Sequence, residues 1–65
     1  MKFIQPMKNL MFMIGDSGDC HCISYGSEVA AIINGEYVEF QGPQYYSRTS
    51  MRHKAMFRTH FGIGG

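Results

Sequence analysis

The sequence predicts an α+β fold, in which an antiparallel β-meander of about four strands is followed by one C-terminal α-helix. Three observations predict it: an Asn-Gly pair between two β-rich runs, a second glycine-containing turn just upstream, and helical periodicity confined to the last part of the chain. The 65 residues allow one domain and no second core. We therefore expect a single small domain over residues 1–65, with 1–8 left open as a flexible segment and 62–65 as a tail.

The central hairpin turns at Asn34-Gly35, which lies between residues 28–33 and 36–40. Asn-Gly is the strongest two-residue hairpin signal because both central positions take a positive φ. The turn pairs Ile33 with Glu36, and alternation then separates two faces. We expect one face to be the core face, with Val29, Ala31, Ile33, Val38 and Phe40, and the other to carry Ala30, Ile32, Tyr37 and Glu39.

A second hairpin is predicted upstream, with a turn at Gly26-Ser27 that places glycine at the first central position. This turn pairs Tyr25 with Glu28. Alternation places both cysteines, Cys20 and Cys22, on the predicted core face and His21, Ile23 and Tyr25 on the opposite face. Residues 10–14 are predicted to form a further strand that is apolar on both sides, so it is either central in the sheet or part of an association surface.

The C-terminal helix is predicted over residues 51–61, with Thr49 or Ser50 as the N-cap and Gly62 as the stop. At about 100° per residue, one continuous apolar arc forms, and the basic residues point away from the sheet. The arc consists of Met56, His60, His53, Phe57 and Phe61.

The net charge of +1 conceals a segregation of charge along the chain. Residues 9–41 hold all five acids and no Lys or Arg, whereas residues 42–65 hold four basic residues and no acid. Attraction between a basic helix and an acidic sheet explains this pattern. The alternative is a nucleic-acid-binding surface, although a pI of about 7.8 is low for such a protein. That surface would use Arg48, Arg52, Lys54 and Arg58.

Metal binding, catalysis and membrane insertion are not predicted. The set that could converge on zinc is Cys20, Cys22, His53 and His60, but a C-x-C pair within a strand differs from the turn-borne pairs of structural zinc sites. We expect no metal, no cofactor and no catalytic constellation. Two cysteines indicate a reduced, cytosolic protein, and the longest apolar run, residues 10–14, is too short for a transmembrane helix.

Two stretches carry a resemblance to a known group of proteins. Residues 24–32, SYGSEVAAI, and residues 45–53, YYSRTSMRH, resemble a pattern in small accessory proteins encoded by tailed bacteriophages, with Ser50 where threonine is more usual. The resemblance covers roughly residues 24–61 and leaves out residues 15–22. It implies a phage protein in the host bacterial cytoplasm that acts by binding, rather than by catalysis.

We therefore expect a non-enzymatic, phage-type accessory protein that binds a host bacterial protein and modulates it as an inhibitor. The alternatives are the nucleic-acid-binding module and a structural homo-oligomer, for which a homodimer is the simplest form. The candidate partner-binding residues are those of the face opposite the predicted core face: His21, Ile23, Tyr25, Ile32 and Tyr37.

Overall fold

A computed structural model describes residues 1–40 and 48–63 of the chain. Its elements are β1 (Lys2–Met7), β2 (Leu10–Ile14), β3 (Cys20–Ser24), β4 (Ser27–Ile33), β5 (Glu36–Glu39) and α1 (Arg48–His60). The strands form one antiparallel sheet in the order β1-β2-β3-β4-β5, and α1 packs on one face of it. The predicted α+β fold is confirmed, with one strand more than expected. Residues 45–47 of the second resembling stretch and residues 64–65 lie outside the described residues.

The additional strand is β1, which occupies the segment that the sequence left open. It pairs with β2 from Lys2 opposite Ile14 to Met7 opposite Leu10, with an irregularity between Ile4 and Met7. Pro6 lies in this irregular part of an edge strand, where a missing backbone N–H costs little. The terminal ammonium also contacts Asp16 at 2.7 Å. Residues 2–7 are therefore part of the sheet.

The predicted hairpin between β4 and β5 is confirmed. Asn34 and Gly35 both take positive φ angles, 55° and 79°, as a tight turn with the twist of a hairpin requires. Ile33 pairs with Glu36, and the predicted register continues to Ala30 opposite Glu39.

The predicted turn between β3 and β4 is wrong by one residue. Ser24 pairs with Ser27, so the central residues are Tyr25 and Gly26, with φ angles of 52° and 80°. Tyr25 thus adopts the left-handed conformation that the sequence prediction had assigned to glycine alone. A bulge follows, since Ile23 pairs with Glu28 while Cys22 pairs with Ala30, and beyond it the register still differs from the predicted one by one residue. Val29, the extra residue, and Ala30 both enter the core.

The predicted core face of the β4-β5 hairpin is also wrong. The helix covers the face that carries Ala30, Ile32 and Tyr37, whereas Ile33 on the other face is 45% exposed. Both faces of this hairpin are apolar, so alternation alone does not reveal which one a helix covers. The buried hydrophobic core consists of Leu10, Phe12, Cys20, Cys22, Val29, Ala30, Ile32 and Phe57.

The helix begins at Arg48, which makes the predicted N-cap wrong, because Thr49 and Ser50 lie in the first turn. It ends at His60, one residue before the predicted end, and Gly62 stops it as predicted. Gly62 has a φ of 73°, its N–H donates to the Thr59 carbonyl, and the Ile63 N–H donates to the Arg58 carbonyl at 2.9 Å. These bonds form a Schellman motif, whose glycine avoids the strain of a left-handed residue. Ile63 packs against the core rather than extending as a tail.

The face of α1 that meets the sheet is rotated from the predicted arc. Its buried residues are Ser50, His53, Lys54 and Phe57, at the three- and four-residue spacing of one helical face. His53 and Phe57 were predicted there, whereas His60 is exposed and Lys54 was expected to point away. Within residues 1–40 and 48–63, no helix has the length and hydropathy that crossing a bilayer requires.

Candidate functional site

The face of the sheet that α1 leaves uncovered, here called the open face, is the candidate site. Directly paired residues in antiparallel strands share a face, and one such row crosses all five strands. It runs through Phe3, Met13, His21, Ala31 and Val38. Residues two or more positions along the strands from this row place four more side chains on the open face: Met11, Ile23, Glu28 and Ile33.

The open face is mostly apolar and partly solvent-exposed. Phe3 is 57% exposed and Ile33 is 45% exposed, while Met11, Met13 and Val38 between them are half-buried. The row is interrupted at β3 by His21, and Ala31 within it is fully buried, so the exposed apolar area lies mainly toward its two ends. Single exposed apolar side chains are ordinary on a protein surface, but several on one face of a sheet are typical of an interaction surface. The open face is therefore the candidate interaction surface.

His21 lies near the centre of the open face between two carboxylates. Its Nδ1 is hydrogen-bonded to the Glu28 carboxylate and its Nε2 to the Asp19 carboxylate. An ionised carboxylate only accepts hydrogen bonds, so both ring nitrogens must carry a proton to satisfy both partners. Burial by itself lowers the pKa of His21, but the bonds to Asp19 and Glu28 raise it by more, and the net shift is upward. The arrangement is that of an imidazolium.

Asp19 is positioned for this contact by the loop between β2 and β3. The Gly15 N–H donates to the Asp19 carbonyl at 2.8 Å, and the Ser17 hydroxyl donates to Asp19 Oδ1 at 2.7 Å. A Cβ on Gly15 would lie 2.4 Å from Asp19 Oδ1, so only glycine fits there without a shift of the carboxylate. The hydrogen bond from His21 is the largest cause of the lowered pKa of Asp19.

The charge of the open face is negative. Glu36 pairs with Ile33 at its rim, and Asp19 and Glu28 flank His21. Since residues 9–41 contain no Lys or Arg, strands β2 to β5 contribute no positive charge here besides the imidazolium of His21. An apolar row with an acidic rim is the result.

The five predicted partner-binding residues do not share one face, and that part of the prediction is wrong. His21 and Ile23 lie on the open face, whereas Ile32 is 7% exposed in the core. Tyr37 packs against Phe57 at a ring-centroid distance of 6.3 Å. Tyr25, in the β3-β4 turn, stacks on the buried His53 ring at 5.8 Å.

Sequence reasoning missed Asp19 and Glu28 as the partners of His21. A signal for Asp19 was present, because residues two apart on an extended segment point to the same side. The contact with Glu28 was not predictable from the expected register, which paired Glu28 with Tyr25. In the structure Glu28 pairs with Ile23, which is two residues closer to His21 along β3.

The predicted nucleic-acid-binding surface is divided between two environments. Lys54 is 2% exposed, with Nζ 3.6 Å from Glu39 Oε1, and Arg58 lies 3.4 Å from Glu39 Oε2. Only Arg48 and Arg52 of the four are exposed, so the expectation of one outward basic surface is wrong. Attraction between the helix and the sheet accounts for the other two, and the partly exposed pair of Arg58 with Glu39 stabilises the fold little.

Tyr37 completes this helix–sheet contact. Its hydroxyl donates to Glu39 Oε2 at 2.7 Å and accepts from Arg58 at 3.1 Å, and the guanidinium lies 5.2 Å from the ring centroid. Burial raises the pKa of Tyr37 to about 12, and the bond from Tyr37 is the largest cause of the lowered pKa of Glu39. The cluster fixes α1 to β5.

The four candidate zinc ligands do not converge. Cys22 Sγ donates weakly to the His53 carbonyl, Cys20 Sγ to the Gly18 carbonyl, and His60 packs on the Phe12 ring. Among residues 1–40 and 48–63, no group of three His, Cys, Asp or Glu side chains is arranged to hold a metal ion. Both cysteines are free, and burial raises the pKa of Cys22 to about 12, which keeps its thiol protonated.

The buried His53 has a structural contact with β3. Its Nδ1 lies 2.7 Å from the Ser24 hydroxyl, and both side chains are almost fully buried. Burial is the main cause of its lowered pKa, and the nearby Arg52 adds to the shift. A neutral imidazole, buried away from solvent, therefore anchors α1 to the sheet.

Comparisons with protein-family models, curated proteins and solved structures found no match.

Proposed function

We propose that this protein is a non-enzymatic binding domain whose open face docks on another protein. The observation that carries the proposal is the row of side chains across all five strands on the side opposite α1, which is apolar except at His21. Full burial of an aliphatic or aromatic side chain favours association by about 1.5–3 kcal/mol. Phe3 and Ile33 are each roughly half exposed, so a partner could bury much of their apolar surface.

The chemistry of the partner follows from the rim of the open face. Asp19, Glu28 and Glu36 outnumber the single imidazolium of His21. Complementary charge steers association and excludes wrong partners, whereas like charges brought together cost free energy. We expect an apolar patch bordered by Lys or Arg on the partner. Two copies of this chain, face to face, would instead bring acid toward acid, which argues against the homo-oligomer.

The resemblance of residues 24–32 and 45–53 to phage accessory proteins supports a more specific proposal. The partner is then a host bacterial protein, and docking inhibits it. Residues 24–32 include the β3-β4 turn and the bulge at Val29, and they therefore help to shape both faces of the sheet. The nucleic-acid alternative has less support, because Lys54 and Arg58 already face Glu39.

The test is site-specific photo-cross-linking in bacterial cells. A photoreactive amino acid replaces Ile33 on the open face, and in a matched control it replaces Met51, which is 57% exposed on α1. We expect a cross-link from position 33 to one bacterial protein, within a peptide that contains Lys or Arg, and none from position 51. Cross-links from position 51 alone, from neither position, or only to a second copy of this chain would contradict the proposal.

A further inference from the structure

We infer that protonation of His21 is a latch that holds the loop of residues 15–19 against the open face. With the proton in place, the ring joins Asp19 of the loop to Glu28 of β4. Without it, one of these two bonds is lost and the Asp19 end of the loop is released from the ring. The consequence for binding rests on the proposed function of the open face.

The geometry of the latch requires both ring protons. Each nitrogen of His21 faces a different carboxylate, and a neutral imidazole has only one N–H to donate. Deprotonation therefore leaves a nitrogen lone pair facing a carboxylate oxygen, an arrangement that repels. Since Asp19 lies at the end of the loop and Glu28 lies in a strand, the Asp19 side is the one free to move away.

The charged groups that face His21 are these two carboxylates. On the two neighbouring strands, the residues paired with His21 are uncharged: Met13 on β2 and Ala31 on β4. The helix lies on the far side of the sheet. Asp19 and Glu28 are also the two groups whose hydrogen bonds and charges raise the pKa of His21. The proton on His21 is thus controlled by the two residues that it holds together.

The direction of the switch follows from this environment. Because the pKa of His21 lies above its usual value, the latch is closed at and below that value and opens as the pH rises through the raised one. Opening removes one positive charge from the centre of an already acidic face. A partner with a basic rim would then be held more tightly on the alkaline side of the transition.

The latch is tested without any partner, by a pH titration followed by NMR on the isolated protein. The signals are the His21 ring and the amides of Gly15 and Gly18, whose N–H groups bond to the Asp19 and Gly15 carbonyls. We expect the ring to titrate above pH 6.5 and the two amides to shift with the same midpoint. Glu28→Gln should lower that midpoint, and Asp19→Asn should lower it and uncouple the amides.

Glu36→Gln is the matched control, because Glu36 lies at the rim of the same face and its change should leave the His21 midpoint nearly unaltered. A wild-type midpoint at or below 6.5, loop amides that do not follow it, or an equal effect of Glu36→Gln and Glu28→Gln would overturn the latch. Because this titration needs no partner, its failure is distinct from a failure of the cross-linking test.

Discussion

Replacement of Phe57 by alanine should remove most of the attachment between α1 and the sheet. The Phe57 ring is fully buried and packs against Phe12 and Phe61 at centroid distances of 5.4 Å and 5.2 Å. Truncation of a buried phenylalanine to alanine costs about 3–5 kcal/mol, through lost burial and the cavity left behind. At about 0.05–0.15 kcal/mol per residue, the whole domain has a free energy of unfolding of roughly 3–10 kcal/mol.

The Phe57→Ala variant should therefore be at the limit of folding. Thermal unfolding followed by circular dichroism should show a Tm lower by roughly 12–40 °C, since each kcal/mol shifts the Tm of a domain this small by about 4–8 °C. If that variant does not fold, Phe57→Leu should fold with a smaller loss. Met51→Ala, on the exposed side of α1, is the control and should change the free energy of unfolding by no more than about 0.5 kcal/mol. A loss below about 1 kcal/mol in Phe57→Ala would refute this account of the core.

Four further predictions concern single groups. Gly35→Ala should lower the free energy of unfolding by about 1–2 kcal/mol, measured by urea denaturation. The cost comes from the φ of 79°, because a Cβ at this position would meet no other atom; an unchanged urea midpoint would contradict the left-handed conformation of Gly35. Ser24→Ala should cost about 1–3 kcal/mol in the same assay, since the buried His53 Nδ1 loses its partner; a neutral effect would show that the bond is not formed. The lowered pKa of His53 means that the unfolded state binds more protons at this residue near its usual value, so the contribution of His53 to stability should fall as the pH decreases from about 7 to 5. The raised pKa of His21 acts in the opposite direction, so the measurement is the difference between wild type and His53→Gln, which should lose less stability over this range; equal pH dependence of the two proteins would contradict it. The thiol of Cys22, with a pKa of about 12, should react with a thiol-specific reagent at pH 8 far more slowly in the native than in the urea-unfolded protein; equal rates would contradict its burial.

Local turn chemistry was predictable where one residue pair determines it. Asn34-Gly35 predicted both the β4-β5 hairpin and its register, and Gly62 predicted the end of α1. The β3-β4 turn was not predictable from the same rules, because Tyr25 adopts a left-handed φ that glycine was expected to supply. That one-residue difference, together with the bulge at Val29, changed every pairing between the two strands.

Sequence patterns did not predict which face of the sheet the helix covers. Ile32 and Ile33 are equally apolar neighbours, and the choice between them depends on contacts with α1 rather than on alternation. Lys54 shows the same limit, because its charge favours solvent while its contact with Glu39 at the sheet places it in the interior. The candidate site was predicted only in part: His21 and Ile23 were identified, and the carboxylates beside His21 depended on a register that the sequence did not reveal.

The most direct test of the central claim compares Ile32 with Ile33 by NMR. The claim is that β4 directs Ile32 toward α1 and Ile33 into the open face, with exposures of 7% and 45%. A neutral, soluble paramagnetic chelate added to the isolated protein should broaden the methyl signals of Ile33 strongly and those of Ile32 weakly. Strong broadening of Ile32 with protection of Ile33 would place the helix on the other face, and protection of both would show that the open face is already covered. Either result would contradict the proposal that this face is the free docking surface.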